Sequence, residues 1–179
     1  MEAVFDNKSN VLNARILAKH DQSVLYTVST NFGYRGRKDT LLLDANPLPG
    51  TTSRTVGAIH WGDKTLEVNG HRKSCAELKR RAGRFYNRTR HWRWSQDRKE
   101  YEIIFEGEEW KATLNQNMLI AGRFYVPRPH LFSKAPPTVL HLTKTALCED
   151  EIFLILVFIY VETKRQDRTN SSTADPGGW

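Results

Sequence analysis

Between Arg72 and Lys99 the chain concentrates eleven basic side chains, opposed only by Glu77 and Asp97. That window carries +9 against +7 for the whole chain, so the remainder carries −2. Arginine dominates it, and guanidinium groups suit bidentate contacts to phosphate. Tyr86, His91, Trp92 and Trp94 are interleaved with the cations. A surface of this kind could hold anionic lipid headgroups with aromatic side chains at the interface beside them. Nucleic-acid phosphates with bases stacked on Trp are a lesser alternative. The candidate ligand-binding set is Lys73, Lys79, Arg80, Arg81, Arg84, Arg88, Arg90 and Arg93. The competing reading is a solvated face. Strand alternation would turn Trp92 and Trp94 inward and Arg93 outward. The acids at Glu100, Glu102, Glu106, Glu108 and Glu109 would then offset the cations, or an acidic protein partner would do so.

Enzyme chemistry has little to stand on. The chain contains no GxSxG, HExxH, P-loop or GxGxxG pattern. Its six His are scattered, with no HxH or HxxxH pair to suggest a metal, and no cofactor is expected. His60 beside Trp61 reads as a packed or edge residue. Cys75, at a predicted helix start near Arg80, could have a lowered pKa, but no partner base is in view and an incidental thiol is the plainer reading. Cys75 and Cys148 form no zinc or disulfide pattern. The Glu-rich EGEEW at Glu106–Trp110 falls on a predicted turn, where carboxylates need no catalytic reason.

The elements that must position these residues are mostly short strands between turn signals. Val24–Thr30 and the TLLLDANP segment flank a polar loop, NFGYRGRKD. Thr55–Trp61 and Thr65–Val68 flank Gly62-Asp63-Lys64, and Asn69-Gly70 is a further turn. Arg84–Tyr86, Trp92–Trp94, Tyr101–Phe105, Trp110–Leu114, Leu119–Val126 and Thr138–Leu142 also fit strands. The only short helix expected in the middle is Ser74–Arg81. Eight to eleven close-spaced strands predict a barrel or sandwich.

The run Ile152–Val161 is ten apolar residues long, half what a membrane-spanning helix needs. Glu149, Asp150 and Glu151 precede it and Lys164, Arg165 and Arg168 follow it, an order that complements a helix dipole. Such a helix is apolar on all sides and must be enclosed. The three acids lack the spacing of a calcium loop and read as helix N-terminal charges.

Four segments carry a family resemblance: VGAIHW (Val56–Trp61), RFYNRTRHWRW (Arg84–Trp94), LIAGRFYV (Leu119–Val126) and EDEIFLILVFIYVETKRQ (Glu149–Gln166). With the strands-then-helix order, they resemble the tubby-like superfamily of tubby C-terminal domains, LURP-one-related proteins and phospholipid scramblases. More narrowly they resemble an uncharacterised basidiomycete family placed near it. The resemblance implies a mainly β fold, an antiparallel tubby-like β-barrel of twelve strands closed around one buried apolar C-terminal α-helix. It also implies, by analogy of fold alone, phosphoinositide binding through exterior basic residues. The expected layout is a lead-in at 1–22, the barrel at 23–168 with its helix at about 150–164, and a disordered tail at 169–179. The expected function is a non-enzymatic module for anionic phospholipid or phosphoinositide headgroups, and the alternative is a protein-interaction or structural domain. No secretory signal opens the chain, so the expected location is cytoplasmic, at a membrane face or in the nucleus.

Overall fold

The computed structural model describes residues 1–7, 10–34, 36–47, 49–50, 54–82, 89–115, 118–127 and 136–173, without the side chains of 81, 82, 89 and 171–173. Among them are thirteen strands in one antiparallel sheet and a long C-terminal helix. The first meander runs β1 (Glu2–Phe5), β2 (Ala14–Ala18), β3 (Val24–Gly33), β4 (Gly36–Asp44), β5 (Thr55–His60), β6 (Thr65–Val68) and β7 (His71–Ser74). One helical turn, α1 (Cys75–Leu78), leads to the second: β8 (Lys79–Ala82), β9 (Thr89–Trp92), β10 (Tyr101–Glu106), β11 (Glu109–Leu114), β12 (Ile120–Tyr125) and β13 (Val139–Leu142). Then come α2 (Lys144–Glu149) and α3 (Glu151–Thr173).

The two meanders are joined because β1 pairs with β13, Ala3 opposite Leu140. The strands at 1–22 are therefore central to the sheet and not a lead-in. Their small and apolar residues alternate, with Ala3, Phe5, Ala14, Ile16 and Ala18 all buried. Register slips bend the ladder between β2 and β3, β3 and β4, β4 and β5, and β11 and β12. The ladder is not closed: β7 and β8 are its two ends. The expected continuous barrel thus gives way to an open sheet. The reason is local. Ser74 caps α1 with a reciprocal Ser74–Glu77 capping box, and this turn separates two strands that would otherwise pair as a hairpin.

The apolar run is the core helix, as its sequence requires. Every residue from Phe153 to Thr163 is buried. Both halves of the sheet reach it. Tyr26 of β3 donates to Glu151, Trp61 stacks on Tyr160, Trp92 meets Tyr160 edge-on and Phe124 of β12 stacks on Phe158. Removing each large apolar side chain of this helix from water contributes roughly 1.5–3 kcal/mol. Two glycines let strands come close to it. A Cβ at Gly57 would lie 2.9 Å from Ile152 and Leu156, and one at Gly122 would lie 3.2 Å from Phe158. The helix continues to Thr173, beyond the expected end near 164, so residues 169–173 are helical and not part of a loose tail. The polar residues past Lys164 are tied back by ion pairs: Arg37 with Asp167, and Arg165 with Glu162.

At the other end of α3, burial lifts the carboxyls of Asp150 and Glu151 above their ordinary values, although each accepts a tyrosine hydroxyl. The folded state therefore holds the Asp150 proton more tightly than the unfolded chain. Its contribution to stability is full below the unfolded pKa and is lost as pH rises through the raised value. Asp150→Asn removes that loss. Denaturant unfolding should show the variant gaining on the wild type as pH rises from the ordinary carboxyl value through the raised one.

Candidate functional site

Three of the eight predicted cations, Lys73, Arg80 and Arg93, line one groove of about 420 Å³, which also contains Glu77 and Glu100. Arg80 is already engaged, its Nε and Nη2 donating to the two oxygens of Glu100 at 3.2 and 2.8 Å. Lys73 donates to the Trp94 carbonyl at 2.8 Å and lies 4.9 Å above that indole. Lys79 sits 5.8 Å over Trp92. Arg90 is half-buried in β9, whereas Arg80 and Arg93 are exposed. Arg81 contributes its backbone to β8, opposite Arg90. Arg84 and Arg88 lie outside the described residues. The last cations of the window secure the end of α2. Arg98 donates to the Glu149 carbonyl there, and Lys99 pairs with the Glu149 carboxylate.

Trp92 is buried and Trp94 packs on Phe153, so both indoles turn inward while Arg93 turns outward. Of the acids expected to offset the window, Glu100 meets Arg80, whereas Glu106 and Glu109 meet Lys111, with Arg123 also on Glu109.

A larger cleft of about 710 Å³ lies elsewhere, against the C-terminal half of α3. The tip of the β3–β4 hairpin supplies Gly33, Gly36, Arg37 and Lys38, and β4 supplies Asp39. His60 ends β5, the β5–β6 turn brings Trp61 and Asp63, β7 brings Arg72, and α3 brings Lys164. Four cations thus face two carboxylates. The segment expected to be a polar loop, NFGYRGRKD, is mostly paired strand, with Phe32 opposite Arg37 and Gly33 opposite Gly36. That pairing is what presents Arg37 and Lys38 to the cleft.

Trp61 organises the cleft. Its ring stacks on Tyr160 at 5.6 Å and 13°, and its Nε1 donates to the Thr40 hydroxyl at 2.8 Å. Thr40 in turn meets Thr30, which donates to the Leu12 carbonyl or to Thr40. The Arg37 guanidinium and the Lys164 ammonium lie 5.2 and 5.5 Å from the Trp61 ring centre. Arg37 also pairs with Asp167, and Arg72 bonds Thr65 and approaches Asp63 at 3.4 Å. Lys38 is exposed, and among the described residues neither it nor Lys164 has an ion-pair partner. Asp39 is drawn off by His60, whose Nδ1 lies 2.6 Å from it while Nε2 lies 3.2 Å from Glu67.

Carboxylates of Asp39 and Glu67 thus meet both ring nitrogens of His60. Cys75 is buried under the sheet, and burial pushes its thiol up, opposite to the lowering its sequence setting allowed. Cys148 is an exposed free thiol. Among the described residues no cluster of three or more His, Cys, Asp or Glu could hold a metal, and no helix is long and apolar enough to cross a membrane.

An open, helix-centred antiparallel sheet with a cation-lined cleft defines the class of this protein. The chain belongs to a family of unknown function (DUF6593), whose model matches residues 9–167. No curated protein and no solved structure matches it.

Proposed function

We propose that the protein is a non-catalytic binding module for phosphate-bearing anions, with anionic phospholipid headgroups at a cytosolic membrane face as the ligand class. The observation that carries this reading is the Arg37–Lys38–Arg72–Lys164 cleft, where Lys38 and Lys164 have no ion-pair partner among the described residues and Lys164 stands beside the Trp61 indole. The proposed site therefore moves away from the eight predicted cations to a cleft that shares only Arg72 with the basic window. Of the described window cations, Lys73, Lys79, Arg80, Arg98 and Lys99 are engaged by two indoles, Glu100 and Glu149. The tubby-like reading of the fold belongs to the same proposal. Its support is a helix whose Phe153–Thr163 stretch is buried against one thirteen-stranded antiparallel sheet.

Calorimetric titration with soluble inositol 1,4,5-trisphosphate tests the site. Binding should weaken from low to physiological salt, because exposed charges are screened. Lys38→Ala/Lys164→Ala should weaken it by about tenfold or more, since each charged contact is worth roughly 1.5–3 kcal/mol. Lys73→Ala/Arg93→Ala should leave it unchanged. The reverse pattern would return the site to the basic window, and no heat at low salt would remove the anion reading.

A further inference from the structure

The described surface has few large apolar side chains in water, and two of them adjoin the cleft. Phe32 is 65% exposed and Tyr34, at the turn, is fully exposed. Phe32 belongs to the inward-facing rank of β3, following the buried Val28 and Thr30, but a register slip at Asn31/Phe32 carries it past the end of the core. No structural role in the fold accounts for two aromatic side chains at a protruding hairpin tip. Gly36, at φ +99°, makes the tight reversal behind them.

We infer that this hairpin seats the protein on an anionic membrane surface, with Phe32 and Tyr34 entering the interfacial layer. The inference rests on the anion-binding reading of the cleft and adds how the cleft meets its ligand. Aromatic rings favour the headgroup depth of a bilayer, and nearby cations add attraction to anionic lipid. Here Arg37 and Lys38 follow the rings within six residues, and the sequence holds no acid from Asn31 to Lys38. The nearest carboxylate, Asp39, is taken by His60, and Asp167 is taken by Arg37. A protein partner fits less well. A convex tip offers far less than the roughly 800 Å² per side of a stable protein interface, whereas insertion into a bilayer needs no matching groove. The other exposed apolar pair, Met118 and Leu119, has no basic neighbour within three residues.

The test is co-sedimentation with vesicles of phosphatidylcholine alone, with added phosphatidylserine, and with added phosphatidylinositol bisphosphate. Wild type and Phe32→Ser/Tyr34→Ser run side by side, and both are titrated with inositol trisphosphate. Both side chains are exposed, so the variant should keep its circular dichroism and its titration curve. Its partition to anionic vesicles should fall by about tenfold or more, as expected from losing two buried rings. The two anionic compositions distinguish general surface charge from a phosphoinositide. Undiminished partition of the variant overturns the inference. So does a wild type that binds inositol trisphosphate but no vesicle, which leaves the cleft reading intact and the hairpin to a protein. A variant defect on vesicles with no inositol trisphosphate binding by either protein supports the hairpin seat and removes the cleft reading.

Discussion

Arg165→Met is expected to lower the unfolding free energy by about 3 kcal/mol, the lower end of the cost of stranding a buried charge. Glu162 has no exposed surface, although it lies on a helix that is otherwise apolar through this stretch. Its carboxylate accepts from Arg165 Nε and Nη2 at 2.8 Å, from Trp110 Nε1 at 2.8 Å and from Gln166 at 2.9 Å. Removing the guanidinium leaves two neutral donors and an uncompensated charge. Arg165 is about a quarter exposed, so water screens part of the lost attraction, which places the cost at the low end. The loss of its packing over the Phe105 ring, 4.6 Å away, adds to it. Glu162→Gln/Arg165→Met should recover most of the loss, because no buried charge remains. Urea unfolding of the wild type, Arg165→Met, Glu162→Gln and the double variant completes the cycle. A loss under about 1 kcal/mol for the single Arg165 change would mean that the pair behaves like a surface one.

The core helix is legible in the sequence because ten apolar residues between acids and bases admit few other placements. Its extension to Thr173 is not, since Asp167, Arg168 and Thr169 carry no apolar signal, and Arg37, the partner that holds Asp167, lies 130 residues away. Strands β3, β5, β6, β10 and β11 follow from β-branched and aromatic runs between turns. Strands β1 and β2 escape such a reading, although Ala3/Phe5 and Ala14/Ile16/Ala18 alternate as a half-buried strand should. Alanine is a weak strand signal, and the meaning of β1 depends on β13, which begins more than 130 residues later. The open ladder follows from the Ser74–Glu77 capping box, visible as S-x-x-E, in a helix that is one turn long and not the eight residues expected. The site illustrates the sharper limit. A dense basic window is conspicuous in a sequence, yet exposure depends on what each cation meets, and Glu100, Glu149 and two indoles are remote or turned inward. The cleft cations come from 37, 38, 72 and 164, a set that exists only once the first meander packs on the helix.

Trp61 is where that packing and the cleft meet, and Trp61→Ala should affect both. The side chain is 8% exposed, so its loss should cost about 3–5 kcal/mol of stability through the cavity it leaves against Tyr160. It should also release Arg37 and Lys164 from the ring, forfeiting roughly 0.5–1 kcal/mol of cation–π attraction each and freeing both chains to move. Inositol trisphosphate affinity should therefore fall even below the melting temperature of the variant. Trp61→Phe separates the two effects. It keeps an aromatic face for Tyr160 and the cations but leaves the buried Thr40 hydroxyl without its indole donor, at a cost of about 1–3 kcal/mol. Thermal unfolding paired with calorimetry should show Trp61→Phe destabilised yet still binding, and Trp61→Ala impaired in both. Full binding by folded Trp61→Ala would mean that the cations need no indole to hold them. The cleft would then be a cluster of independent charges, and the ring would serve the helix alone.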